Sequence, residues 1–595
     1  MSHAANQSTV SELSLFQHLD DAGKAEVAAR FERLNIERGR ALVEEGEPSE
    51  AMYVVLSGRF AVTRRDRGHP ISEIGAGQPI GEIGFLTGSP RIATVVALRD
   101  SIVLKLDRLH LEALADRDPS IWRAISTYLA TRLAATTLAP PQPRHSAPRT
   151  ILITAAGGAA LDSGIMQLVT AAFAARAPTL VIDSTRHDAS GRGDCTLDDA
   201  AMTEWFNALE AGHTYVLMIA DPTLTAWNRK IIHHADLMLA AGSFDSDPAP
   251  NATEELAARF LPASARRLVL VHDTRTVVSG TERWLAPREV VMHHHAARDD
   301  AEDFARIVRF IDGTARGLVL AGGGALCVTH VGAYKALLEA GYSFDIMGGT
   351  SGGSAMAAAF ALRSPPDDVV RGVHEMFVAR RAMHRYTLPR YSLLDHTHFD
   401  RELRTLYGDT AIEDLWLPFF AVSTNLSRYA PHVHRRGALW RAVRASASIP
   451  VMLPPVYTED GEMLVDGSLV DNVPVAAMHQ LKSGPNVVVA FDGGQLQRFD
   501  VAYDDLPSRA ELVRLAMTPW SRKALPDAPG LASVLMRSLM ANRHAFHKHL
   551  KADDLLLVPP IPAGVGFLDW HRHADMLEAG YEWARVRLED EAAGR

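Results

Sequence analysis

At 595 residues, with 47% hydrophobic and 22% charged residues, the chain has the make-up of soluble globular protein and is too long for one core, so two to four domains are expected. Its formal net charge of -10 argues against a broad nucleic-acid footprint, and no nucleic-acid partner is expected. Two cysteines, Cys195 and Cys327, supply neither a disulfide framework nor a zinc pattern, which suits a reducing compartment.

Residues 1–10 are polar and lack the apolar core of a signal peptide. No apolar run reaches the about 18 residues of a membrane span. The expected setting is cytoplasmic, with any lipid met from the water side, peripherally, at the inner face of a membrane.

Residues 11–133 read as one unit. Helical material, Leu13 to Leu34, precedes short strand-like runs at 41–43, 51–56, 59–62, 94–98 and 101–106, and a helix over 109–133 closes the unit. Short strands with glycine or charged turns predict a small β-barrel or jelly roll. Inside it, Pro79 to Thr94 offers a glycine-bounded helical turn between Glu82 and Arg91. Helix-end N–H groups with an arginine make an anion site, and a glutamate there can accept from a sugar hydroxyl. This stretch resembles the phosphate-binding cassette of cyclic-nucleotide-binding domains. The resemblance implies a site at Gly81, Glu82, Arg91 and Thr94, with cAMP or cGMP as effector.

Residues 134–148 hold four prolines and read as an extended linker. Over 149–313, apolar runs at 150–154, 179–183, 214–219, 237–240 and 267–271 alternate with helical segments, which predicts an open parallel sheet. Its first turn, Ala155-Ala156-Gly157-Gly158, lacks the Lys-Ser/Thr of a P-loop, so a degenerate nucleotide-binding fold is expected. His233-His234 and His293-His294-His295 lack a metal-ligand spacing and are expected on a solvated edge; no metal or other cofactor is expected. Arg192-Gly193-Asp194 is a chance tripeptide in a polar loop.

The chemistry concentrates in 316–500, followed by a helical extension over 501–595 that contains a late strand near 554–559. Leu318-Val319-Leu320 runs into Gly322-Gly323-Gly324; a helix follows; a second apolar run ends in Gly349-Thr350-Ser351-Gly352-Gly353. This reads as strand, glycine loop, helix, strand, nucleophile elbow, helix. Gly349 and Gly353 allow the tight turn that lifts the Ser351 hydroxyl clear, and the glycine loop brings N–H donors close to an oxyanion. A carboxylate-bearing turn, Asp466-Gly467-Ser468, ends a further apolar strand and offers a base. A triad with His479, His544, His547, His549, His571 or His573 is the competing arrangement.

The three motifs in this order resemble a patatin-like phospholipase. With Leu224 to Asn228, Ile412 to Pro418 and Leu439 to Ser446, the chain is similar to the neuropathy target esterase type over residues 11 to 495. The resemblance implies Ser351 as nucleophile, Asp466 as base, Gly322, Gly323 and Gly324 as oxyanion hole, and a phospholipid or lysophospholipid acyl ester as substrate. The family's basic residue and glycine after the loop are here Leu326 and Cys327. If residue 327 needs a positive φ, a non-glycine costs about 1–3 kcal/mol there. An impaired enzyme, acting as a cyclic-nucleotide-responsive or lipid-binding module, is therefore the alternative reading. Cys327 and His330 are expected to be packing residues. Segments 386–389 and 449–456, with the basic run 379–385, are the candidates for peripheral membrane contact.

Overall fold

Short runs with an apolar face pair into two four-stranded antiparallel sheets after residue 30. The computed structural model describes residues 21–66, 71–123, 125–127, 131, 148–189, 200–491, 499, 501–517, 528–530, 534, 537–538 and 545–593. The polar start, nearly all of the proline-rich linker, Arg192-Gly193-Asp194, Cys195 and His544 lie outside them. Two compact units result: one runs to Arg275 and includes Glu282–Asp312, the other holds Thr276–Thr281 and the chain from Gly313.

The first unit opens with α1 (Asp21–Ala28) and a jelly roll of β1 (Glu32–Ile36), β2 (Ala41–Val43), β3 (Ala51–Ser57), β4 (Arg59–Thr63), β5 (Ser72–Gly75), β6 (Pro79–Ile80), β7 (Thr94–Ala97) and β8 (Ser101–Asp107). The sheets run β1-β8-β3-β6 and β2-β7-β4-β5, and Val54, Leu104, Phe60 and Val103 fill the interior. The expected helix through Leu34 stops at Ala28: Glu32–Ile36 pairs antiparallel with Ser101–Lys105, a long-range contact invisible to local periodicity. Helix α2 (Glu82–Thr87) sits between left-handed glycines, Gly81 and Gly88. The closing helix is broken: α3 (Arg108–Ala115) ends before Pro119, and helix resumes at Ser120.

Six parallel strands form the second sheet of this unit: β9 (Thr150–Ala155), β10 (Thr179–Ile182), β11 (Tyr215–Ile219), β12 (Leu237–Ser243), β13 (Arg266–His272) and β14 (Met292–Ala297), ordered β10-β11-β9-β12-β13-β14. The parallel sheet is as expected, with one strand more. That strand, β14, contains the three histidines. The solvated-edge expectation is corrected here, because His294 and His295 are buried in β14 and His234 is buried at the end of α4 (Ala226–His234). Burial pushes His234 down to about 3, so it is held as neutral imidazole. At the first turn, the Gly157 N–H donates to Glu254 Oε1 at 3.0 Å, and Glu254 is clasped by Arg288. The chain's own carboxylate thus sits where a phosphate-binding loop would hold an anion. Arg99 pairs bidentately with Glu210, and Lys230 and His233 reach Asp100, joining roll and sheet by buried charges.

The second unit is a single mixed sheet. Its strands are β15 (Gly317–Leu320), β16 (Ile346–Thr350), β17 (Phe419–Asn425), β18 (Ala430–His434), β19 (Val456–Tyr457), β20 (Met463–Asp466), β21 (Asn486–Val489) and β22 (Leu555–Leu557). The order is β19-β20-β17-β16-β15-β21-β22, with β18 on β17; β17, β16, β15, β21 and β22 are parallel. Strand β22 lies in this sheet, and α8 (His573–Ala592) packs on α5 (Val328–Glu339), where a side chain at Gly332 would meet the Leu577 carbonyl at 2.2 Å. The described part of 501–595 therefore completes the second unit instead of extending from it. No described helix is long and apolar enough to cross a membrane.

Candidate active site

The site forms where β15, β16 and β20 end. After β16 the chain turns at Ser351 into α6 (Gly352–Ala361), and Ser351 takes φ 53°, ψ -128°. A non-glycine in that region stores about 1–3 kcal/mol of strain. Glycines make the turn feasible: a side chain at Gly353 would meet the Ala321 carbonyl at 2.4 Å, and one at Gly349 the Gly353 backbone at 2.6 Å.

Asp466 ends β20, whose register sets it opposite Ser423 of β17. Ser351 Oγ donates to Asp466 Oδ2 at 2.6 Å, and Ser468 N–H donates to Oδ1 at 2.9 Å. Asp466 is 1% exposed and Ser351 5%. Burial raises the Asp466 carboxyl above its ordinary range; the bonds from Ser351 and Ser468 oppose the shift without cancelling it. No histidine hydrogen-bonds to either residue among the described residues. His479 is engaged by Asp554 at 3.1 Å, and His573 Nδ1 by the Trp570 carbonyl. His547 and His549 are exposed.

The glycine loop divides its three members. The Gly322 N–H is taken by the Asn472 carbonyl at 3.1 Å, and Asn472 Nδ2 returns a bond to the Gly322 carbonyl at 3.2 Å. That removes Gly322 from the expected set of free oxyanion donors. The Gly323 N–H faces the Cys327 sulfur. Gly324, at φ +56°, lies against the Phe567 carbonyl and borders the cavity beside Ser351 and Gly352. Gly352 is the first residue of α6, where an N–H has no partner within the helix. Cys327 adopts φ -62°, so no positive φ falls on it and the expected penalty is absent. Its thiol is buried and pushed well up by desolvation; His330, also buried, donates from Nε2 to the Ala321 carbonyl at 2.9 Å and stacks on Phe491 at 4.7 Å. Both are packing groups, as expected.

Three residues with no role assigned from sequence hold the pair in place. Ser446, ending α7 (Leu439–Ser446), accepts the Ser351 backbone N–H at 2.8 Å. The Ser448 carbonyl accepts the Asp466 N–H at 2.9 Å, and Arg444 donates to Ser448 Oγ at 2.5 Å. The motif ending at Ser446 is visible in the sequence; its pairing with Ser351, 95 residues away, is not.

Ser351 opens onto a cavity of about 250 Å³. Met356, Val373, Met376, Phe399, Leu403 and Val443 are among its walls. Such a lining binds an alkyl chain and offers little to a polar ligand.

In the roll, Gly81 and Arg91 are brought together: Arg91 is buried and donates to the Gly81 carbonyl at 2.9 Å and to the Ala51 carbonyl at 2.5 Å. Glu82 begins α2 beside them, buried. Thr94 stands apart in contact, its hydroxyl accepting from the Glu45 N–H.

Three family models match the chain: patatin-like phospholipase over residues 318–479, cyclic nucleotide-binding domain over 33–118, and the neuropathy target esterase family P-loop like domain over 195–313. Among similar curated proteins, patatin-like phospholipase domain-containing protein 6 of Pongo abelii is 29% identical over 93% of this chain and 44% of its own length. Patatin-like phospholipase domain-containing protein 7 of Rattus norvegicus is 30% identical over 92% of this chain and 45% of its own, and lysophospholipase nte1 of Neosartorya fischeri is 28% identical over 94% and 42%. The chain spans less than half the length of these relatives. With the three matched regions following one another along it, the chain carries a cyclic nucleotide-binding domain, a neuropathy target esterase family P-loop like domain and a patatin-like phospholipase domain, and over nearly all its length it is similar to relatives of the neuropathy target esterase type.

Proposed function

We propose that this protein is a serine esterase that hydrolyses acyl esters of phospholipids or lysophospholipids through a Ser351–Asp466 dyad. The observation that carries the reading is the 2.6 Å bond from Ser351 Oγ to a buried carboxylate at the floor of an apolar cavity. Ser351 Oγ attacks the acyl carbonyl carbon while its proton passes to Asp466 Oδ2. Burial makes that carboxylate a better proton acceptor than one in water. The carbonyl oxygen becomes an oxyanion, with the N–H groups of Gly324 and Gly352 beside it; one such donor is typically worth about 3–4 kcal/mol. Collapse breaks the bond to the glycerol oxygen, which leaves with the proton from Asp466. Water then attacks the acyl-enzyme, gives a proton to Asp466, and releases the fatty acid as Ser351 recovers its proton.

The right-handed φ of Cys327 supports this reading over the impaired-enzyme alternative, since the backbone penalty considered for residue 327 does not arise. The test is hydrolysis of a p-nitrophenyl acyl ester and of lysophosphatidylcholine by wild type and Ser351→Ala. Equal rates in both would sink the esterase reading.

A cyclic nucleotide, cAMP or cGMP, is the proposed effector. Arg91, whose guanidinium is held by two carbonyls beside Glu82, is the group a cyclic phosphate would engage. Calorimetric titration of each nucleotide, repeated on Arg91→Gln, tests this; no heat with wild type removes the effector.

A further inference from the structure

The cavity needs a route from a bilayer, and the chain beside its mouth has an unusual surface. Residues 386–394 form a short hairpin closed by an antiparallel bridge between Tyr386 and Leu394. It is pinned to the loop after α7: Leu393 N–H donates to the Val451 carbonyl at 2.8 Å and Leu394 N–H to the Met452 carbonyl at 3.0 Å. Both attachments lead into the cavity, since Met383 precedes the hairpin, Ile449 precedes the loop, and both line it.

The hairpin inverts the usual rule for large apolar side chains. Tyr386 is 80% exposed, Leu388 87%, Tyr391 74%, and the neighbouring Val451 53%. Pro389 stiffens the tip, so these groups stay outward at little further entropy loss on binding. Arg381, Arg385 and Arg390 are exposed around them, and none is in a salt bridge among the described residues. The nearby carboxylates are engaged: Glu402 accepts from Arg380, and Asp395 from the backbone and hydroxyl of Thr397. A chain with a formal net charge of -10 thus concentrates cations outside any described salt bridge where its aromatic and leucine side chains protrude, Arg390 lying over the Tyr391 ring at 5.3 Å.

We propose that the hairpin 386–394, with Val451, is the element that docks this protein on an anionic lipid surface, placing the cavity mouth at the headgroup level. The inference rests on the lipid-ester reading of the site. Tyrosines occupy the interface, Leu388 enters the acyl boundary, and the arginines meet phosphate and carboxylate headgroups. Each arginine near an anionic surface strengthens binding about fivefold.

The test is co-sedimentation of the full chain with vesicles of phosphatidylcholine, with and without phosphatidylserine. Alongside it, p-nitrophenyl butyrate hydrolysis reads the site with a soluble ester. The expected result is binding that needs phosphatidylserine, falls with salt, and drops about tenfold or more in the double variant Leu388→Asp, Tyr391→Asp, with butyrate turnover unchanged. A second variant, Arg381→Gln, Arg385→Gln, Arg390→Gln, leaves the apolar tip intact and is expected to lose the phosphatidylserine dependence. Undiminished binding in both variants overturns the assignment. So does a wild type that hydrolyses butyrate but binds no vesicles, a result that leaves the esterase reading standing. Vesicle binding that the variants abolish, in a protein without butyrate turnover, keeps the docking surface and removes the esterase. Sedimentation velocity covers the other occupant: if Leu388→Asp, Tyr391→Asp dissolves a dimer and leaves vesicle binding intact, the hairpin is a contact between copies.

Discussion

Ser446 accepts the backbone N–H of Ser351 at 2.8 Å and donates its own hydroxyl to the Val422 carbonyl at 2.5 Å. This one side chain links the end of α7, the central strand β17 and the strained elbow. Two residues on, the Ser448 carbonyl holds the Asp466 N–H, so a single short segment sets the backbone of both members of the proposed dyad. A buried N–H without a partner is costly, and here its loss would fall on a residue already at φ 53°.

Ser446→Ala is therefore expected to lower kcat on a soluble ester by about 5- to 100-fold, the equivalent of an unpaired buried donor, with a smaller change in KM. Ser446→Thr, which keeps the hydroxyl, should recover most of the rate. A loss confined to thermal stability, with kcat intact, would reduce Ser446 to a structural role.

Asp466→Asn is expected to lower kcat by on the order of a thousandfold, because the acceptor for the Ser351 proton is gone. The wild-type rate should rise with pH along a limb centred above the ordinary carboxylate range, since burial raises this carboxyl and only its ionised form accepts a proton. The stability sign is opposite. A carboxyl raised in the folded state favours the protonated form, and its contribution is lost as pH rises through the folded pKa. Asp466→Asn should thus be at least as stable as wild type at neutral pH, by thermal unfolding.

Chain-length selectivity should reside in the cavity. Ala359 is on its wall, and Ala359→Phe is expected to cut kcat/KM for a p-nitrophenyl decanoate about tenfold or more while sparing the acetate. Parallel losses on both esters would mean the chain binds elsewhere.

His330 is fully buried, and desolvation pushes it down to about 4. In the unfolded chain it titrates near the ordinary 6.5, so the unfolded state takes up the extra proton between about pH 6.5 and 4. Stability is present above this window and is lost as pH falls through it, by up to about 3 kcal/mol. Urea midpoints across the window should flatten in His330→Gln; an unchanged slope would assign the acid sensitivity elsewhere, for instance to the buried His234.

Restoring the commoner family residue with Cys327→Gly should gain no activity. Residue 327 is right-handed and its sulfur fills space against Ala321 and Gly352. A loss of about 1 kcal/mol or more in stability is expected, from removed packing and added backbone freedom. A clear rise in kcat would mean that Cys327 does distort the glycine loop.

The elbow at Ser351, the glycine loop, Asp466-Gly467 and the cassette around Glu82 were legible in the sequence because each depends on local backbone needs: glycine where neighbours crowd, a turn where a strand ends. The parallel sheet of the first unit was legible for the same reason, as its buried strands are continuous apolar runs. Strand β1, the burial of His234, His294 and His295, and the place of β22 in the sheet of the second unit were decided by partners far away in the chain. So was the division of labour in the glycine loop, where the Asn472 carbonyl takes the Gly322 N–H. The residue types alone determined which groups could do the chemistry. Only tertiary structure decided which of them meet, because hydrogen bonds and desolvation depend on distance in space and carry no mark in local sequence.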